Sequence, residues 1–419
     1  MIQEFSVQNF LSIKDKQTIS FIASSDNKLK EELIIEPKPG VRLLRMSLIY
    51  GANASGKSNV LQAIQSLWLL LFYPQEKEHS KVDIYVPFEL SKGESTRYEI
   101  TFWANKRCFS YILENDSNSI IYEKMMYTSD KGVMSELYER KKGEPITFGS
   151  TIDIKSKQRN ELNKETLKNH TVLSTLNKKN IDAPLIMKEL YEWIKKNVHV
   201  LGVHNNGREI AEEAQNNNKL KKMMLELLNK ADFNISDFRL IDFTVPDEIA
   251  EQIKDDDDLT DSAKEKFLRP TKKLLLTHKT AIGDFQIEFG LESAGTKAYF
   301  RLARMLFDIK DCECVLMEDE LEDSLHYELL IHYLQTFLQV QSHSQLIFTT
   351  HNQQLLDEDW MIRRDMVWLT EKDRETASTK LTRASDLGIH KNVSLKNAYR
   401  IGKLGAKPIL GSTFLSNDL

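Results

Sequence analysis

Gly51-Ala52-Asn53-Ala54-Ser55-Gly56-Lys57-Ser58 decides the reading of this 419-residue chain. The octet fits G-x-x-x-x-G-K-[ST], a loop whose glycines let backbone N–H groups turn inward around phosphates. In that loop Lys57 reaches the β- and γ-phosphates and Ser58 ligates Mg²⁺. The flanks suit it. Leu44 to Tyr50 reads as a buried strand entering the loop, and Lys57 to Leu71 (KSNVLQAIQSLWLLL) reads as the helix leaving it. The positive end of that helix dipole would lie on the phosphates. The candidate nucleotide-binding set is Gly51, Asn53, Ser55, Gly56, Lys57, Ser58 and Asn59, with Ser58 also a metal ligand.

A phosphate loop that hydrolyses its nucleotide needs carboxylates. Glu313-Cys314-Val315-Leu316-Met317-Glu318-Asp319-Glu320 reads as an apolar strand ending in acids. In P-loop enzymes a strand-end acid holds Mg²⁺, and a second group orients the attacking water. The first register assigns Asp319 to the metal and Glu320 to the water; a second would use Glu318 and Asp319. Leu325 and His326, spaced as the turn after the catalytic Glu, favour the first. Glu318 still stands where an apolar residue is usual, which leaves open a scaffold that binds ATP without turnover.

Glu292-Ser293-Ala294-Gly295-Thr296-Lys297 precedes the amphipathic stretch Lys297 to Ile309. Taken alone, Ser293 is an ordinary helix N-cap. About twenty residues ahead of the acidic strand, with Ser344-Gln345-Leu346-Ile347-Phe348-Thr349-Thr350-His351-Asn352 behind it, it completes an order: phosphate loop, signature, acidic strand, strand ending in His. This order resembles the SMC/RecF/OLD-like branch of ABC ATPases. More narrowly, the chain is similar to prokaryotic phage-defence and abortive-infection ATPases of the AbiLi/RloA, Septu PtuA and PARIS AriA kind. Ile2 to Ile13 resembles their first strand, Asp319 to His326 their Walker B and following turn, and Ala398 to Pro408 the Tyr-x-x-Gly-x-x-Gly-Ala-x-Pro tail of the AbiLi/RloA group.

The resemblance implies an α/β P-loop NTPase of ABC-head type, with a mainly parallel sheet, an antiparallel β-subdomain and a helical insertion. It implies ATP and Mg²⁺ as cofactors. His351 would be the switch histidine, catalytic alongside Glu320. Ser293, Gly295 and the Asp323–His326 turn would face nucleotide held by another subunit, making a homodimer or higher oligomer through an ATP sandwich. The glutamine-loop residue would lie around Val86-Pro87-Phe88.

Three segments follow. Residues 1–150 read as the N-terminal ATPase lobe, with strands near Ile2–Asn9, Gln17–Ile22, Leu44–Tyr50, Val82–Glu89, Tyr98–Trp103, Cys108–Glu114, Ser119–Tyr127 and Met134–Glu139. Residues 151–270 read as a mainly helical insertion, with helices over Ala183–Asn197 and Arg208–Lys230 and a solvated loop at Asp255–Asp258. It carries no heptad run long enough for coiled-coil arms. Residues 271–419 read as the C-terminal lobe, with strands near Lys273–Thr277 and Asp284–Phe289, the acidic and His351 strands, a helix near Tyr327–Val340 and a last strand near Met366–Leu369.

The net charge of −5, with 57 basic and 62 acidic residues, gives no global drive toward nucleic acid or acidic membrane. Cys108, Cys312 and Cys314 lack metal spacing, and there is no signal-peptide pattern or membrane-length apolar run, so a cytoplasmic, reduced protein is expected. The leading functional expectation is a sensor or regulator ATPase in antiviral defence. It would answer to a phage component and act through a separately encoded nuclease or toxin, because no effector constellation stands out. A RecF/SMC-like DNA-binding repair ATPase, with nucleic acid as partner, is the alternative; a transporter motor ranks below it. The Tyr399–Pro408 tail offers a docking surface or, equally, a turn that caps the sheet.

Overall fold

The computed structural model describes residues 1–407 apart from 75–76, 78–79, 83, 178–180, 199–205, 257–258, 341 and 391–392. Pro408 of the tail and Asp257 and Asp258 of the acidic run lie outside the described residues. The chain divides into two units, one of Met1–Leu201, Cys312–Leu321 and Gln341–Leu419, the other of Gly202–Asp311 and Glu322–Val340. Residues 1–150 fall wholly in the first; 151–270 and 271–419 each contribute to both.

The first unit opens with β1 (Ile2–Gln8), β2 (Gln17–Ser20), α1 (Lys30–Leu33), β3 (Ile34–Lys38), β4 (Val41–Leu44), β5 (Met46–Gly51) and α2 (Lys57–Phe72). It continues through β6 (Thr96–Ala104), β7 (Arg107–Asn115), β8 (Ile120–Thr128), β9 (Met134–Lys141), β10 (Thr147–Phe148), α3 (Ser156–Glu165) and α4 (Leu185–Asn197). The second unit holds α5 (Gly207–Asn216), α6 (Asn218–Lys230), β11 (Ile235–Phe243), α7 (Asp247–Asp255), α8 (Asp261–Leu268), β12 (Thr271–His278), β13 (Phe285–Glu288) and α9 (Ala294–Asp311). Next come β14 (Val315–Glu318) of the first unit, α10 (Tyr327–Gln339) of the second, and β15 (Gln345–Thr350), β16 (Val367–Lys372), β17 (Thr379–Arg383) and α11 (Leu395–Arg400) of the first.

Two sheets build the first unit. One is antiparallel, in the order β10-β9-β8-β7-β6-β1-β2, and its burial alternates as expected when one face packs and the other is wet. Its tightest turn sets Asn105 and Lys106 both at positive φ, 49° and 63°, the two-residue geometry that matches strand twist. The other runs β14-β15-β5-β16-β17, parallel except for β17. β5 and β15 are buried at every residue, as strands covered on both faces must be. α2 packs Leu61, Ile64, Leu67 and Trp68 into the same core, with Trp68 edge-on to Phe102 at 5.4 Å. In the second unit β11-β12-β13 form an antiparallel sheet, and α5 and α6 pack on α9.

Three sequence expectations are corrected. Val82–Glu89 is not a strand: Pro87 has no N–H, the Val86 carbonyl accepts from Leu11 N, and Phe88 N donates to Asn9 Oδ1, so no ladder forms. The single helix over Arg208–Lys230 is two, broken at Asn217, whose side chain caps Leu220 N at 3.2 Å. Met366–Leu369 does not hold the last strand, because β17 follows it. The mainly helical insertion also contains β11. The three cysteines are free thiols.

A buried ion pair ties the first unit together. Arg363 and Asp365, each side chain 3% exposed, meet through two hydrogen bonds of 2.9 and 2.6 Å, and Ser24 donates its N–H and hydroxyl to Asp365, both at 2.8 Å. Burial pulls the Asp365 carboxyl up, but Arg363 and Ser24 outweigh it and hold it below its ordinary value. A depressed folded pKa stabilises above the unfolded pKa and is lost as pH falls through the folded one. Asp365→Ala should therefore destabilise the first unit at neutral pH by about 3–5 kcal/mol, leaving Arg363 buried without its partner. The gap in melting temperature from the unaltered chain should narrow below about pH 4; an equal gap at pH 7 and pH 3 would contradict the assignment.

Candidate functional site

Three adjacent parallel strands end at one edge of the sheet. β15 lies between β14 and β5, with Glu318 paired to Phe348 and Thr350 to Tyr50. The phosphate loop leaves β5, Asp319 and Glu320 leave β14, and His351 leaves β15. In parallel α/β sheets this carboxyl edge is where ligands bind.

The loop's shape is held from below by hydroxyls. Ser55 Oγ lies 2.6 Å from Thr370 Oγ1, and Thr370 Oγ1 also donates to the Tyr50 carbonyl at 3.2 Å. Thr379 Oγ1 donates to Ser55 O at 2.9 Å and meets Ser12 Oγ at 2.7 Å, which in turn accepts from Asn59 Nδ2 at 2.6 Å. These braces explain both motif glycines. A Cβ on Gly51 would meet Thr370 Oγ1 at 2.1 Å, and one on Gly56, at φ +98°, would meet Thr379 Oγ1 at 2.0 Å. Asn53 is exposed at the rim, and Ser58 and Asn59 are half-buried on the first turn of α2.

Lys57 is 5% exposed and its ammonium donates to the Gly51 and Ala52 carbonyls at 3.0 and 3.2 Å. Among the described residues no carboxylate pairs with it. A buried cation compensated only by carbonyl dipoles is costly, and a phosphate at the start of the sixteen-residue α2 would supply the countercharge.

The acids are set by one threonine. Thr349 Oγ1 donates to Asp319 Oδ1 and accepts from Glu320 N at 2.7 Å; Thr349 O accepts from Leu321 N at 3.2 Å. Glu320 takes φ 51°, and both acidic side chains are exposed, as is His351. Glu318 is half-buried on the last residue of β14. These oxygen ligands suit Mg²⁺, which binds through one or two protein carboxylates and hydroxyls plus substrate phosphates. The residues present thus fit a nucleotide and its metal.

Ser293 and Gly295 belong to the second unit. Ser293 Oγ accepts from Thr296 N at 3.0 Å, so the hydroxyl caps α9, and a Cβ on Gly295 would meet the Ser324 carbonyl at 2.9 Å. Sequence reasoning missed Ser12, Thr349, Thr370, Thr379 and Tyr50 as supports. Ser12 and Thr349 sit inside stretches already recognised; Thr370 and Thr379 carry no signal of their own.

A parallel sheet with this loop on one strand end, and acids and a histidine on the neighbouring ends, defines a P-loop NTPase. The chain belongs to the family described as "AAA domain, putative AbiEii toxin, Type IV TA system", whose profile matches residues 46–357. No curated protein matches the chain. Among solved structures, the SMC head domain from Thermotoga maritima is 13% identical, covering 91% of this chain and 98% of that one at a TM-score of 0.41. The SMC head bound to the C-winged helix domain of ScpA is 14% identical, covering 95% and 99% at a TM-score of 0.42. No described helix is long and apolar enough to cross a membrane.

Proposed function

We propose that this chain binds and hydrolyses ATP and serves as the sensor or regulator subunit of a prokaryotic antiviral defence system whose effector, a nuclease or toxin, is a separate chain. The observation that carries the ATPase reading is the buried Lys57 ammonium facing a loop that shares its sheet edge with Asp319, Glu320 and His351. Lys57 and the α2 N-terminus neutralise the β- and γ-phosphates. Ser58 and Asp319 hold Mg²⁺, which when bound withdraws charge from the phosphate oxygens. Glu320 orients the attacking water and accepts its proton, and His351 contacts the γ-phosphate. Ser293 and Gly295 of a second copy close the site, so that two ATP join the dimer and hydrolysis releases it.

The defence reading is supported by the family's description, which names a toxin of a toxin–antitoxin system. That description also admits a chain that is itself the toxin, and one experiment separates the two. Cells expressing this chain with its operon neighbours should survive phage challenge. The chain alone should neither protect nor arrest growth, and Lys57→Ala should abolish protection in the full set. Growth arrest or full protection by the chain alone would overturn the separate effector.

A further inference from the structure

The Tyr399–Ala406 tail is closed onto the first unit. Ser394 caps α11 by accepting from Asn397 N at 3.1 Å, and Leu395, Ala398 and Tyr399 are buried. After the helix, Gly402 and Gly405 take φ 78° and 65°, and Leu404 and Ala406 are each 3% exposed. Tyr399 Oη donates to the Ala406 carbonyl at 3.1 Å, and Ala406 N donates to Glu371 Oε1 of β16 at 2.7 Å. Of the two readings of the tail, the backbone thus adopts the capping turn, with Arg400, Lys403 and Lys407 left exposed on its outside.

What the turn covers gives it a role. α11 packs on the 3-10 turn Gln353–Asp357, whose Leu355 and Leu356 are buried, and Lys396 Nζ reaches Asp357 Oδ2 at 2.7 Å. That turn begins at Asn352, the residue after His351. The Asn352 carbonyl accepts from Tyr50 Oη, and the Tyr50 ring, fully buried, packs against the Tyr399 ring with centroids 6.4 Å apart at 57°. Tyr50 in turn immediately precedes Gly51. One aromatic pair therefore connects the tail, the start of the phosphate loop and the backbone that sets His351.

We infer that Tyr399 is a positioning residue for ATP turnover: the 395–406 segment clamps the turn behind His351 and fixes where the imidazole meets the γ-phosphate. The inference rests on the ATPase reading above. A histidine at a strand end takes its position from the backbone that follows it, and displacement of about 1 Å at a reacting centre can cost up to ~100-fold in rate. The phosphate cradle has its own braces in the hydroxyls of Thr370, Thr379 and Ser12, so nucleotide binding should change less than turnover.

The test uses the full chain and two readouts. Tyr399→Ala should lower kcat for ATP by about 10- to 100-fold while KM and the Kd for a fluorescent ATP analogue change less than about twofold. Tyr399→Phe, which keeps the ring, should recover most of the rate. Amide exchange at 351–357 should rise in Tyr399→Ala with exchange in α2 unchanged, a measurement that needs no turnover. Unchanged exchange at 351–357 overturns the clamp, as does unchanged kcat in a chain whose unaltered form hydrolyses ATP. Equal loss of kcat and ATP binding, with global unfolding, assigns Tyr399 to stability alone and also overturns it. If the unaltered chain hydrolyses no ATP, the ATPase reading and the positioning role fall, and exchange at 351–357 then shows whether the tail contact itself exists.

Discussion

Lys57→Ala should abolish the rise in melting temperature that ATP gives the unaltered chain. At a hundredfold excess over Kd that stabilisation should approach about 3 kcal/mol, because a ligand that binds only the folded state stabilises it by mass action. The physical ground is the environment of the ammonium. It is buried, it donates to two carbonyls of its own loop, and no described carboxylate neutralises it. Removing it takes away the Lys57 cation of the cradle, but it also relieves a buried charge in the nucleotide-free chain. The variant without ATP should therefore melt no lower than the unaltered chain. The two curves should cross as ATP is added, a pattern that a merely damaged fold would not produce. An ATP-induced shift that survives the substitution would remove Lys57 from the phosphate site.

Glu320→Gln should bind ATP normally and hydrolyse it at least about 100-fold more slowly, a barrier increase near 3 kcal/mol. The amide keeps the size and hydrogen-bonding reach of the side chain but cannot accept the proton of the attacking water. The Glu320 backbone N–H to Thr349 is untouched, so the turn keeps its shape. Glu318→Gln should be mild, since Glu318 is the last paired residue of β14 while Asp319 and Glu320 leave the strand toward the loop edge. The reverse ranking in phosphate-release rates would make Glu318 the working acid and favour the register that uses Glu318 and Asp319. If the slow variant also accumulates as an ATP-bound dimer on size-exclusion chromatography, while the Lys57→Ala variant stays monomeric, the sandwich gains its second support. A monomer in both cases would count against it.

Local pattern carried much of the site. The phosphate loop is contiguous, β5 and β15 carry the short apolar runs Leu48-Ile49-Tyr50 and Leu346-Ile347-Phe348 that suit buried strands, and the acids stand together at a strand end. The rest depended on pairings that no local window contains. Ser12, Thr370 and Thr379 are unremarkable hydroxyl residues, and their meaning comes from converging under Ser55 across more than three hundred positions. β17 was hidden for a related reason. Thr379-Lys380-Leu381-Thr382-Arg383 has one aliphatic residue, so it shows no apolar run, and its Thr379 hydroxyl braces the loop. Val82–Glu89 failed in the other direction: its alternation looked like sheet, but the Asn9 side chain and Leu11 claim its backbone. The split at Asn217 turned on a side chain outcompeting helix continuation, where the apolar spacing on either side still fits one helix.

Leu48 of β5 has its two sheet partners at Phe348 and Val367. On the ribosome, at about 5–20 residues per second, the strand that launches the phosphate loop waits on the order of 15–60 s for either neighbour to be made. Until then a mostly apolar strand lacks its sheet neighbours, and a pairing of such long sequence separation is slow to form afterwards. A polypeptide cut short by premature termination or by a protease acting during synthesis would hold every residue of the loop and still lack the hydroxyls that shape it. Formation of the braced loop is thereby deferred until Thr379 has been made, so products terminated before it should not capture nucleotide.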